Sequence, residues 1–160
     1  MANIDLKASK DWQPTHVLPI CDEIQAVADH LVLTPVTAIE NIVDGIETFW
    51  LDKKQLTQLM QVLRYDLSQP FDMCFDISAI DETQRQHVAG HVSDFTVSYH
   101  LRSYQRNQDI RIKIALTNDD KTLASVYSFW PNANWYEREI WDMFGIIFEG
   151  HPHLTRILMP

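Results

Sequence analysis

The sequence predicts an α+β domain of two layers. A mixed or largely antiparallel sheet is covered by two main helices, with a C-terminal helix and an extended tail added at the end. Three observations predict this. Apolar residues recur at helical spacing in two segments of the first half of the chain. Apolar and polar residues alternate in a pair of later runs joined by a short polar connection. Helical and extended segments follow one another in an order that lays helices on a sheet rather than building a strict βαβ series. A length of 160 residues suits one domain with its own core.

The elements follow in chain order. Over residues 18–31, Ile20, Ile24, Val27 and Leu31 fall three or four apart, the stripe of an amphipathic helix. Two strand-like runs come next, at 36–39 and 46–51, with Asp44-Gly45 between them as a turn signal. Residues 53–64 read as a second helix, since Leu56, Leu59, Met60 and Leu63 form one stripe. The segment 71–80 alternates for much of its length and reads as a strand, and a polar loop runs from 81 to 93. Phe95, Val97, Tyr99 and Leu101 alternate with polar neighbours, as do Ile110, Ile112 and Ile114. This predicts an antiparallel hairpin with one face on the core and one in water, and a solvated tip over 102–109 that includes Arg102, Tyr104 and Arg106.

Composition excludes several function classes. The formal net charge of −9 is wrong for nucleic acid, where clustered Lys and Arg must neutralise phosphates, and for direct docking on anionic lipid. No apolar run approaches the roughly 18 residues that a membrane span needs, and the N-terminus lacks the apolar core of a signal peptide. A cytoplasmic protein without direct membrane insertion is expected. The two cysteines, Cys21 and Cys74, are too few for an iron–sulfur cluster, which takes about four thiolates. Cys74, in an apolar strand, reads as a buried small side chain. No glycine-rich phosphate loop or nucleophile elbow occurs.

From Trp130 the sequence changes character: WPNANWYEREIWDMFGIIFEGHPHLTRILMP. Three of the five tryptophans, Trp130, Trp135 and Trp141, lie here, divided in expectation between core and interface. Asn134 and Glu137 have the form of a capping box, so a helix is predicted to start there, and Gly145 is placed to end it. Tyr136, Ile140, Met143 and Phe144 are predicted to line its apolar face, and Arg138 and Asp142, four apart, can pair. A short extended run follows at 146–148, and Gly150-His151-Pro152 forces a turn.

This stretch carries a resemblance. The run Glu137-Arg138-Glu139, Ile140-Trp141, Asp142, Met143-Phe144, then His151 after six residues and Arg156-Ile157-Leu158, resembles the signature of the 30 kDa subunit family of respiratory complex I. PNANWYERE, DFTVSYHL, RNQDIRIKIAL and FDMCFDISAIDE are similar to that family's core, so the likeness covers residues 45–160. Thr155 departs from it, standing where a basic residue or proline is usual. The wording of PNANWYERE is most similar to forms fused to the 49 kDa, D-type polypeptide, and family members continue beyond the point reached by Pro160, which implies a domain cut from a longer chain. The chain is then one domain over 1–160, with 1–17 and 150–160 peripheral.

The resemblance implies a non-redox assembly subunit in the peripheral arm of a proton-translocating NADH–quinone oxidoreductase, at the cytoplasmic side of the bacterial inner membrane. It implies no catalytic residue, cofactor or metal in this chain, with FMN and iron–sulfur clusters held by partner subunits. The implied neighbours are the D-type polypeptide of 49 kDa and the B and I subunits. Glu137, Arg138, Glu139, Asp142, Gly145, His151, Pro152 and Arg156 would be motif and interface residues. Two other readings of the residues stand beside this one. Glu137, Glu139 and Asp142 with His151 and His153 have the ligand types of a metal-dependent hydrolase, although Glu137 and Glu139 point about 200° apart on a helix. Alternatively, the aromatic C-terminal helix could serve a free-standing protein-binding module.

Overall fold

The computed structural model describes residues 20–35, 45–84 and 93–158. The run predicted as a strand at 36–39, and most of the polar loop after 84, lie outside the described residues.

Helix α1 spans Ile20–Val27 and buries Ile20 and Ile24. Val27, the third member of the predicted stripe, is exposed at the helix end, while Ala28 and the fourth member, Leu31, are buried just beyond it. The strands are β1 (Leu33–Pro35), β2 (Glu47–Leu51), β3 (Met73–Asp81), β4 (Phe95–Ser103) and β5 (Gln108–Leu116). They form one sheet in the order β1-β2-β5-β4-β3. The β2–β5 pair is parallel and the other pairs are antiparallel, so the sheet is mixed.

The second helical segment extends the predicted one. Asp52 caps it, accepting the Lys54 N–H at 2.8 Å. It opens as a 3₁₀ turn (Lys53–Gln55), continues as α2 (Leu56–Gln61) and ends in a π-helical turn (Val62–Asp66). Leu56, Leu59, Met60 and Leu63 are fully buried, as the stripe requires. A smaller parallel pair, β6 (Thr122–Ala124) and β7 (Ile147–Glu149), flanks α3 (Ala133–Phe144).

Pairing register gives the sheet its core face. Phe49 sits opposite Ile112, Ile112 opposite Tyr99, and Tyr99 opposite Ile77, so side chains of alternate residues line up across four strands. Together with the buried stripes of the three helices these residues make one continuous core. The opposite face carries Trp50, His100, Arg102, Arg111 and Lys113, with the Lys113 ammonium 5.5 Å from the Trp50 ring centre. The hairpin departs from one expectation: Thr96 and Ser98, on the face predicted to be wet, are buried. They are short side chains set in register with longer neighbours such as Ile80 and Lys113, and little cover suffices to exclude water from them.

The hairpin tip is a second departure. The strands run on to Ser103 and from Gln108, and Asn107 takes the left-handed conformation that closes the turn (φ 50°). Arg102 and Tyr104 lie at the tip as read, with Arg102 paired to Asp109 at 3.0 Å. Arg106 is not solvated. Its side chain is 1% exposed and grips Glu23 of α1 through two bonds of 2.6 and 2.7 Å, while its Nε donates to the Gln69 carbonyl at 2.6 Å. The tip thereby pins α1 and the segment that follows the second helix to the sheet.

Among the described residues strand β3 pairs only with β4, at the edge of the sheet. Residues beside and within α3 cover it: the Asn132 amide donates to the Cys74 carbonyl at 2.7 Å, and the Tyr136 hydroxyl to the Phe75 carbonyl at 3.0 Å. The indole N–H of Trp130 reaches the Phe71 carbonyl just upstream at 3.2 Å. Trp130 is therefore core, whereas Trp135 is exposed and Trp141 half-buried.

Candidate functional site

The residues singled out by sequence gather on and around α3. The helix starts two residues earlier than the capping box predicts, with Asn132 and not Asn134 as its cap residue, and Asn132 makes no side-chain capping bond. The capping box fails because its acidic member is needed elsewhere. Glu137 lies on the buried seam Ala133, Glu137, Ile140, at steps of four and three, and is 0% exposed. Met143, predicted on that seam, falls outside it and is exposed, while Tyr136 and Phe144 pack against the core. Gly145 ends the helix as predicted, with φ 70° and its N–H donating to the Trp141 carbonyl.

Glu137 ties three segments together. One carboxylate oxygen accepts the Val126 N–H at 2.7 Å and the other accepts the Ser125 hydroxyl at 2.6 Å. Ser125 Oγ in turn accepts the Tyr127 N–H at 3.2 Å. The His151 side chain, also fully buried, places Nε2 3.9 Å from the Glu137 carboxylate and 3.4 Å from the Asn134 carbonyl. His151 Nδ1 accepts the His153 N–H at 3.0 Å, so the neutral ring carries its proton on Nε2, facing those two acceptors. Burial pushes the Glu137 carboxyl up to about 7, against the two hydrogen bonds that favour its charged form. Burial likewise lowers the pKa of His151. The Tyr99 hydroxyl is buried with no hydrogen-bond partner among the described residues, and burial followed by the Glu137 charge raises its pKa well above the usual range.

Two further charged positions of the motif, Arg138 and Asp142, hold the tail. Arg138 donates from Nε to the Thr155 carbonyl at 2.9 Å and from Nη2 to the Arg156 carbonyl at 3.1 Å. Asp142, whose side chain is 1% exposed, accepts the Ile157 and Leu158 N–H groups at 3.1 and 2.9 Å. Arg156 Nε stands 3.9 Å from the same carboxylate. Both residues bind backbone, so the Thr155 side chain plays no part in the grip: its carbonyl does the accepting. Glu139 is exposed, on the far side of the helix from Glu137. Pro152 is exposed in the turn that Gly150 opens with φ 81°.

The arrangement separates the residues that would have to converge on a metal. Glu137 is spent on neutral donors in the core, Asp142 on tail amides, and Glu139 faces solvent. Among the described residues no three His, Cys, Asp or Glu side chains gather as a metal site. Cys74 is fully buried, and burial pushes its thiol up to about 12. Sequence reasoning missed Ser125, Asn132 and the Glu23–Arg106 pair. One signal for Glu137 was available: an acidic residue standing on an apolar stripe at helical spacing.

Comparison with known proteins gives the same segment its relatives. The model of the family described as respiratory-chain NADH dehydrogenase, 30 kDa subunit, matches residues 49–160. The fused C/D polypeptide of NADH-quinone oxidoreductase from Psychrobacter sp. (strain PRwf-1) is 56% identical over 118 residues, covering 73% of this chain and 20% of the relative. The C/D polypeptide of Acidiphilium cryptum (strain JF-5) is 44% identical over 147 residues, 89% of this chain and 25% of the relative. The chain thus spans about a fifth to a quarter of the length of such relatives, and it matches their N-terminal part. In fold it is similar to the trypsin-resistant fragment of Nqo5, with a TM-score of 0.64 at 24% identity over 84% of this chain and 96% of that one. It is also similar in fold to a chain of an archaeal membrane-bound sulfane sulfur reductase, with a TM-score of 0.66 at 18% identity over 88% of this chain and 74% of that one. No helix among the described residues is long and apolar enough to cross a membrane. A family match over most of the chain, with the charged motif built into one clasp on α3, makes this chain a member of the 30 kDa subunit family of respiratory-chain NADH dehydrogenases.

Proposed function

We propose that this chain is a non-redox assembly subunit in the peripheral arm of a proton-translocating NADH–quinone oxidoreductase. It supports electron transfer from NADH to quinone by holding neighbours that carry FMN and iron–sulfur clusters. Those neighbours are a D-type polypeptide, on the 49 kDa pattern, and the B and I subunits, and the site of action is the cytoplasmic side of the bacterial inner membrane. The single observation that carries this reading is the family match over residues 49–160, which contains the whole α3 motif. Chemistry supports the non-redox part. Glu137, Arg138 and Asp142 of the motif are occupied in holding the domain's own backbone, and the two thiols are a poor set for binding a cluster.

The test is a pull-down of the tagged full-length gene product from gently solubilised membranes. Flavin, iron and inhibitor-sensitive NADH oxidation are expected to elute with it in one large complex. A chain that elutes alone and colourless overturns the proposal. Arg138→Ala is expected to lower the yield of assembled complex, and normal assembly with unchanged quinone reductase activity would count against an assembly role for the clasp.

A further inference from the structure

Beneath α3 a carboxyl, a hydroxyl and an imidazole meet out of reach of solvent, and the side chains of Glu137 and His151 are both 0% exposed. The two carboxyl oxygens have different partners. Oε1 faces the Val126 N–H, a donor that cannot reverse, while Oε2 faces the Ser125 hydroxyl, which can donate or accept. His151 is held from its other side, since Nδ1 accepts the His153 N–H. Its Nε2–H then stands between two acceptors, 3.4 Å from the Asn134 carbonyl of α3 and 3.9 Å from Glu137 Oε2. The first distance is long for a hydrogen bond and the second is beyond one. A donor placed in this way settles on whichever acceptor is stronger, and a charged acceptor is roughly twice as strong as a neutral one.

The protonation state of Glu137 decides which acceptor that is. In the ionised form Ser125 donates to Oε2, and the negative charge also draws the His151 N–H. In the neutral form the proton taken up from solvent sits on Oε2, because Oε1 must still accept the Val126 amide. That proton points to Ser125 Oγ, whose own hydrogen turns away while the oxygen keeps accepting the Tyr127 N–H. Oε2 is then no anion, and the Asn134 carbonyl is the better partner for His151. The other groups around the pair do not change charge. Tyr99 on β4 and Cys74 on β3 lie near Glu137, but burial, ahead of any charge, keeps the phenol and the thiol neutral. Around His151 are Arg138 of α3, His153 of the same turn and the Tyr127 ring at 6.2 Å. Burial lowers the pKa of His151 against its contact with Asn134, and Arg138 and His153 lower it further, so the ring is neutral around pH 7. With its carboxyl at about 7, Glu137 passes from about nine-tenths neutral to about nine-tenths ionised between about pH 6 and about pH 8.

We infer that Glu137 and His151 form a pH-responsive latch, in which ionised Glu137 draws the His151 Nε2–H from the Asn134 carbonyl to its own Oε2 and so shifts the turn over residues 150–153 on α3. That turn leads into the tail held by Arg138 and Asp142. The experiment is NMR spectroscopy through neutral pH on the 160-residue chain, whose buried side chains form one continuous core. It follows the Glu137 carboxyl carbon, the His151 ring nitrogens with their proton, and the His153 amide. The carboxyl carbon and the His151 Nε2 proton are expected to shift with one shared midpoint near 7, with the ring in the Nε2–H form on both sides of it. The proton is expected to move downfield on the ionised side, as a bond to an anion requires. Glu137→Gln keeps an acceptor for Val126 and a donor for Ser125 but carries no charge, and it is expected to abolish the His151 step. His153→Gln keeps the amide that holds Nδ1 and is expected to retain the step. A carboxyl that titrates with no change at His151, or that does not titrate near neutrality, overturns the latch. So does a His151 step that survives Glu137→Gln or disappears with His153→Gln. Should Glu137→Gln not fold, the paired signals of the parent decide.

Discussion

Arg106 and Glu137 are both charged side chains taken out of water, and the domain buries them by different means. Arg106 keeps a full charge and meets a full charge, with two short bonds to Glu23 and a third to a carbonyl. Glu137 meets only neutral donors, a hydroxyl and an amide, with a neutral imidazole nearby. The difference teaches where pH can act. A buried carboxylate balanced only by dipoles is drawn towards its protonated form, and burial brings Glu137 to about 7.

The largest expected effect tests the first half of that comparison. Arg106→Ala leaves Glu23 without its cation and is expected to cost about 3–5 kcal/mol of unfolding free energy in urea titrations. A loss under about 1 kcal/mol would mean that the pair breaks even with solvent. The second half is tested by pH. The folded-state pKa of Glu137 lies above its ordinary value of 4.5, so its contribution to stability is fully present below about 4.5 and declines as pH rises through about 7. Glu137→Gln cannot titrate. Relative to the parent, this variant is expected to gain up to about 3 kcal/mol between pH 5 and pH 8. Parallel stability curves for the two proteins would show that Glu137 is not the group responsible.

Smaller effects sharpen the picture at the clasp. Arg138→Ala removes two bonds to the tail backbone, each worth about 1 kcal/mol. It is expected to speed hydrogen exchange at the Ile157 and Leu158 amides about tenfold while leaving the amides of β4 and β5 unchanged. Unaltered exchange at those two amides would mean that Asp142 holds the tail alone. Gly145→Ala meets no atom within 4 Å but must adopt φ 70°, and a loss of about 1 kcal/mol is expected, read as a lower melting temperature.

The hairpin and the second helix were legible because each is written as a period, of two or of 3.6, that survives in a single chain. Cys74 was legible as buried, and Gly145 as a helix stop, from their immediate neighbours. The Arg106–Glu23 pair was not, because 83 positions separate its members and nothing local distinguishes Arg106 from a solvated turn residue. The capping box misled for a related reason: Asn134 and Glu137 satisfy the local rule, yet a tertiary partner at Ser125 took the carboxylate. The site was legible as a set of residues, since the motif named Glu137, Arg138, Asp142, His151 and Arg156 together. Its division into a buried tie and a tail clasp depends on which side of the helix faces the core.

The covered rim of the sheet has a consequence for how two copies of the chain can meet. Asn132 and Tyr136 occupy the Cys74 and Phe75 carbonyls at the start of β3, and on the far rim β1 is three residues long and ends in Pro35. A sheet finished in this way offers little template for pairing with a second copy of itself. Where the backbone is occupied in this way, a second copy finds less to pair with, and contact there is left to side chains.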